Sequence, residues 1–173
     1  MDTYYTIEEK YLQAVEEVNY GELPKSLQLL NDIINTEPLY ARAHYQLGLI
    51  YYYNMKSYQT AGYHLKLCTK IEPQFPDVYI PYLELLVLLN MENLVKTVSE
   101  KALQVAGVDQ AAVYNLLGLF AEKRNDWGTA TELYKKAFLA SNAGKQVSAI
   151  EEHIERVALK AKSTRAYAYS LAE

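Results

Sequence analysis

Two tetrapeptides, NTEP ending at Pro38 and KIEP ending at Pro73, recur about 35 residues apart, and the segments that follow them recur as well. After Pro38 comes YARAHYQLGLIYYY, with Gly48 at its centre; DQAAVYNLLGLFAEK places Gly118 in the same context two periods later. PDVYIPYLELLVLL lies between them with Leu83 where the glycines stand, and EEKYLQAVEEVNYG, one period before Gly48, puts Ala14 there. A period of this length indicates a solenoid, in which each unit is one small helical element that buries its apolar face against the next.

Within each unit the apolar period is helical. His44, Leu47, Gly48 and Tyr51 stand at i, i+3, i+4 and i+7, as do Tyr79, Tyr82, Leu83 and Leu86, and again Tyr114, Leu117, Gly118 and Ala121. Each such helix is followed by a turn and a second periodic segment: PKSLQLLNDII, YQTAGYHLKLCTKI, NLVKTVSEKALQVA and WGTATELYKKAFLA. The boundary chemistry agrees. Thr6 with Glu9 reads as a capping box, and Ser57, Asp109 and Asp126 are N-cap residues. Asp77 is expected to cap a helix whose fourth residue is Pro81, where the missing amide has no intrahelical partner to lose. The expected partition is one domain over 1–173, with repeats at 6–38, 39–73, 76–108 and 109–142. A capping helix at 144–162 is expected to carry Val147, Ile150, Ile154, Val157 and Leu159 or Ala161 on its apolar face, and a tail covers 163–173.

Half of the 173 residues are hydrophobic and 22% are charged, enough for an ordinary folded core. The net charge of −4 gives no basic field to recommend a nucleic acid or an anionic membrane as partner. The longest apolar run, LELLVLLN, contains Glu84 and is too short to span a bilayer. The opening MDTYYTIEEKY has no apolar segment of the secretory kind, and Cys68 is the single cysteine, so a cytoplasmic protein is expected.

The fourth unit, YNLLGLFAEKRNDWGTATELYKKAF, resembles the tetratricopeptide repeat family through Tyr114, Leu117, Gly118, Trp127, Ala130, Tyr134 and Ala137. The second matches with Leu47, Gly48, Tyr51, Tyr58, Ala61, Leu65 and Pro73, with Cys68 in place of the second alanine and one extra residue in its turn. Units one and three are degenerate. The resemblance implies an all-α superhelix of about four helical hairpins plus a C-terminal capping helix. Gly48 would then face Ala61 and Gly118 face Ala130, so that paired helices approach closely.

The helix containing Tyr51 to Tyr53 is apolar on a second side, through Tyr45, Leu49, Tyr52 and Tyr53. First helices line the concave groove in the resembled family, which assigns this face to partner binding with Arg42 at its edge. The same offsets give Ile80, Glu84, Val87 and Leu88 in the third unit and Asn115, Leu119 and Glu122 in the fourth. In the first unit the glycine would place Tyr11, Val15 and Val18 in the groove, while the apolar periodicity makes Tyr11, Ala14, Val15 and Val18 the packing face, which is the reading preferred. Tyr52 and Tyr53 have no partner assigned within their own repeat. An aromatic and aliphatic strip suits a hydrophobic peptide or amphipathic helix, so the expected function is a protein-binding scaffold. The alternatives are a small chaperone shielding an apolar client segment, or a homo-oligomer whose groove is self-filled. Tyr167, Tyr169 and Leu171 of the tail are candidates to fill it, from the same chain or a homodimer partner.

Catalysis is not expected. His44, His64 and His153 fall on different helices, and His153 in EEHIER, beside Glu152 and Glu155, lacks the second histidine one turn away that a metal site would use. It is expected on a solvated face. Cys68 takes an alanine-like packing slot, where a thiol is inert. Arg156, Lys160, Lys162 and Arg165 make a modest basic stretch that would suffice to dock an acidic partner but reads first as solvated charge. No phosphate-cradling glycine loop or nucleophile elbow occurs, and no cofactor or metal is implied.

Overall fold

In the computed structural model, the structure describes residues 6–142 and 144–170, with the side chains of residue 145 and of 164–170 outside the description. Nine α-helices occur among these residues, with no strand. The all-α helical-repeat class expected from the period is the one observed. The chain divides into two compact units, Met1–Tyr82 and Leu83–Glu173.

The first unit holds α1 (Ile7–Tyr20), α2 (Leu23–Thr36), α3 (Ala41–Leu49), α4 (Tyr58–Ile71) and the start of α5 (Tyr79–Leu88). Thr6 and Glu9 close the capping box on α1 at 3.2 and 2.7 Å. Ala14 is fully buried, as a small residue in the glycine register should be. It packs with Leu30, Ile33, Ala43, Leu47 and Ile50, and its carbonyl accepts a buried hydrogen bond from the Ser26 hydroxyl at 2.7 Å. Tyr11 and Val18 join this core and Val15 stays half-buried, which fits the packing register.

The extra residue of the second repeat is taken up after Leu49. Ile50–Asn54 wind as a π-helical turn, closed by the Met55 N–H donating to the Ile50 carbonyl at 3.0 Å. Gly48 and Gly118 do permit close approach, but the groups they admit are larger than the expected alanines. A Cβ on Gly48 would stand 2.6 Å from Leu65, and one on Gly118 2.6 Å from the Tyr134 ring.

Two expected caps are corrected. The Ser57 hydroxyl bonds Thr60 at 3.0 Å and gives the backbone no capping bond. Asp77 lies inside a 3-10 turn, Pro76–Val78, that precedes α5; Pro76, with its φ fixed by the ring, opens this turn, and Asp77 stands within it instead of at the start of the α-helix at Tyr79.

The second unit holds the rest of α5, then α6 (Glu92–Ala102), α7 (Gln110–Lys123), α8 (Trp127–Ala140) and α9 (Gly144–Ser170). Asp109 and Asp126 cap α7 and α8 as expected, accepting from Ala112 N–H at 3.0 Å and Thr129 N–H at 3.1 Å. α9 runs past 162, through most of the segment expected as a tail. Tyr167 and Tyr169 lie on it with side chains outside the description, and Leu171 lies outside the described residues. The turns after α3, α5 and α7 each hold one non-glycine residue in the left-handed region: Lys56 (φ 54°), Asn90 (55°) and Asn125 (60°).

Candidate functional site

In the first unit the second face of α3 keeps its aromatic character. Tyr45 and Leu49 are half-buried, and the Tyr45 ring meets Phe75 edge-on at 5.1 Å. Burial there pushes the Tyr45 phenol up to about 12, so it stays a neutral hydroxyl at every physiological pH. Tyr52 and Tyr53 do find partners. Their rings lie 4.5 Å apart, and Tyr52 also meets Tyr58 at 6.0 Å. The π-helical turn is the reason the sequence misses this, because a turn with one added residue takes later side chains off the 3.6 period. Tyr53 remains 46% exposed. Arg42 donates to Glu8 at 2.9 Å, and the same carboxylate accepts from the Tyr40 hydroxyl at 2.6 Å. Ile80, on α5, is half-buried.

On the remainder of α5, Glu84 is half-buried and Leu88 is 47% exposed. Val87 is buried, which removes its side chain from any open groove, and its carbonyl accepts from Lys123 Nζ at 2.9 Å.

In α7 the face expected to line a groove is covered from within the chain. α9 lies on it as the next helix of the stack. His153 Nδ1 bonds Asn115 Oδ1 at 3.0 Å, and Leu119 packs into the core made by Ala121, Ala130, Tyr134, Ala137, Ile150 and Val157. Glu122 is only 8% exposed. It accepts from Arg156 Nε at 2.9 Å and Nη2 at 2.7 Å, from Lys160 Nζ at 2.8 Å and from the Tyr134 hydroxyl at 2.8 Å.

The Arg156 bonds lead those that hold the Glu122 carboxyl down to about 2, against the opposing effect of its burial. Arg156 and Lys160 are therefore structural cations here, and their reading as solvated charge is corrected. His153 is half-buried and meets the Tyr134 ring at 5.0 Å, so its expected solvated face is corrected too; burial, then the Arg156 charge, lowers its basicity.

A buried feature that the sequence reading missed joins α3 to α4. His44 Nδ1 and His64 Nδ1 lie 2.9 Å apart, and His44 Nε2 is 2.9 Å from the Pro38 carbonyl. A carbonyl only accepts, so Nε2 of His44 carries a proton, and the bond between the two Nδ1 atoms has one of them donate and the other accept. Burial, reinforced by His44, lowers His64 to about 4. Tyr51 stacks on His64 with an interplanar angle of 2°, in keeping with its packing role.

Cys68 is buried and its thiol is pushed up to about 12, chiefly by desolvation. Among the described residues no group of three or more His, Cys, Asp or Glu side chains is placed to hold a metal ion. Among the same residues, no helix is long and apolar enough to cross a membrane.

No protein-family profile and no curated protein sequence matches the chain. Solved structures do. A MamA RS-1 ArsTM double mutant is similar at a TM-score of 0.69 and 18% identity, over 92% of this chain and 97% of that one. MamA 41-end from Desulfovibrio magneticus RS-1 follows at 0.68 and 18%, over 91% and 96%, and a further MamA protein at 0.68 and 13%, over 93% and 94%. At these identities the likeness shows the fold, a tetratricopeptide-like helical repeat.

Proposed function

We propose that this chain is a non-enzymatic protein-interaction scaffold, working as one repeat domain, and that it takes up an apolar or amphipathic helical segment of a partner protein on the second face of α3. One contrast carries the reading. The face of α7 formed by Asn115, Leu119 and Glu122 is covered by the amphipathic helix α9, whereas its counterpart on α3 leaves Tyr45, Leu49 and Tyr52 half-buried and Tyr53 exposed. A face of this kind thus accepts a helix with one apolar side, and the tyrosines of α3 offer large contact area with little rotamer freedom to lose. Arg42 lies at the edge of the proposed site, and Ile80 on α5 extends it. Asn115, Leu119, Glu122 and Val87 are left out because packing within the chain already engages them.

The test is selection from a peptide library with the wild-type chain as bait and the Leu49→Glu/Tyr53→Glu variant as control. Peptides with apolar residues at i, i+3 or i+4, and i+7 should be enriched on the wild type and lost on the variant, with helicity preserved. Equal enrichment on both baits would remove the α3 face from the proposal.

A further inference from the structure

One side of α9 packs. Ile150 and Val157 enter the core of the second unit, and His153 and Arg156 reach α7. The other side is a stripe of exposed residues, Glu151, Glu155, Ala158, Leu159 and Lys162, at the three- and four-residue spacings that share a helix face. Position 165, an arginine, stands on the same register of the helical backbone. The stripe is ordered along its length: two carboxylates, then Ala158 and Leu159, which at 66% exposed lies off the packing face expected for it, then Lys162. Beside its acidic half, α8 presents Phe138 and Leu139, the latter 82% exposed. Together with Lys135, Glu151, Ile154 and Glu155 they line an open cleft of about 600 Å³.

A stripe that is acidic at one end, apolar in the middle and basic at the other is complementary to itself reversed. When a second copy is turned end over end about the midpoint of Ala158 and Leu159, Glu155 falls opposite Lys162 and Glu151 comes within one residue of position 165, and the two-fold axis repeats both pairs. Leu159 meets its own equivalent near the axis. The C-terminal half of each α9 then lies over the cleft of Phe138 and Leu139 on the other copy. A parallel arrangement would set carboxylate against carboxylate and cation against cation. The charge order therefore selects the antiparallel one. We propose that this chain forms a symmetric dimer through antiparallel packing of two α9 helices, with the apolar residues supplying adhesion and the charges fixing register. This surface shares no residue with the α3 face and does not depend on that reading.

Sedimentation equilibrium on the full chain and on paired charge variants tests it. The wild type should show a reversible monomer–dimer equilibrium. Glu151→Lys/Glu155→Lys and Lys162→Glu/Arg165→Glu should each raise the dissociation constant at least about tenfold, since attraction becomes repulsion at every pair. An equimolar mixture of the two variants should recover the dimer mass, as should one chain carrying all four changes. A wild type monomeric at every concentration would overturn the proposal and leave the face to a different protein. A dimer equally tight in both variants, or a folded mixture that stays monomeric, would overturn it as well. Should a charge variant lose helicity, Leu159→Cys keeps the native charges and should form an interchain disulfide under mild oxidation, while Ser148→Cys should not. Absence of that crosslink overturns the antiparallel register.

Discussion

Replacing Glu122 by glutamine removes one negative charge from the centre of the α7–α8–α9 contact while keeping the size of the side chain. The carboxylate accepts four charge-assisted or hydroxyl bonds, all within 2.9 Å, and its carboxyl titrates at about 2 against an ordinary 4.5. The difference corresponds to roughly 3 kcal/mol of preference for the folded, ionised form, taking about 1.4 kcal/mol per pH unit. The side chains of Arg156 and Lys160 are 40% and 46% exposed, so water screens part of this. About 2 kcal/mol is the expected cost of the substitution near neutral pH. Because the folded-state value is depressed, the contribution is complete above the unfolded value near 4.5 and is lost as pH falls towards 2. Urea denaturation of wild type and Glu122→Gln at pH 7, 5, 4 and 3 measures it. The gap between the two midpoints should be widest at pH 7 and 5 and should narrow at pH 4 and 3. Coincident curves at pH 7 would refute the reasoning, and so would a gap that does not change with pH.

Two other outcomes are expected. Gly118→Ala places a methyl 2.6 Å from the Tyr134 ring, which itself donates to Glu122, so the ring must shift. A loss of about 1–3 kcal/mol in thermal or urea unfolding should follow, and an unchanged midpoint would mean the helix pair has slack that the close approach denies. The buried His64 is depressed to about 4, so the unfolded chain binds a proton first as pH falls below about 6.5. Stability should therefore decline between pH 6.5 and 4, above the window in which Glu122 acts, and by less in a His44→Phe/His64→Leu variant; equal declines in the two proteins would exclude the histidine pair as the cause.

The period and the caps at Thr6, Asp109 and Asp126 were legible because they are local: a residue type and a spacing fix each of them. The packing of Tyr11, Ala14 and Val18 was legible for the same reason. What escaped depends on partners far along the chain. Glu122 looks like a solvated groove carboxylate until α9 brings Arg156 and Lys160 to it, thirty-four and thirty-eight residues on. His44 and His64 look unrelated because no pattern states that two imidazoles share a hydrogen bond. The site on α3 was half legible. Its apolar second face follows from the period up to Leu49, but the π-helical turn at Ile50–Asn54 breaks that period and folds Tyr52 against Tyr53 and Tyr58. The extra residue was visible in the sequence; its conformation was not.

The left-handed residues Lys56, Asn90 and Asn125 recur in the second, third and fourth repeats, at the bend between the paired helices, and only the two asparagines are of a type that favours that conformation. In these three units the backbone itself records the bend, whereas the first turns at Gly21 with φ −126°. Even the third unit, which has lost most of the small residues of the pattern, makes it. A hairpin whose crossing is set by the dihedral angles of one bend residue can exchange nearly all its side chains and keep its shape. In a lineage of such repeats the wording can change while the punctuation stays, and kinship is then easier to see in the path of the chain than in its letters.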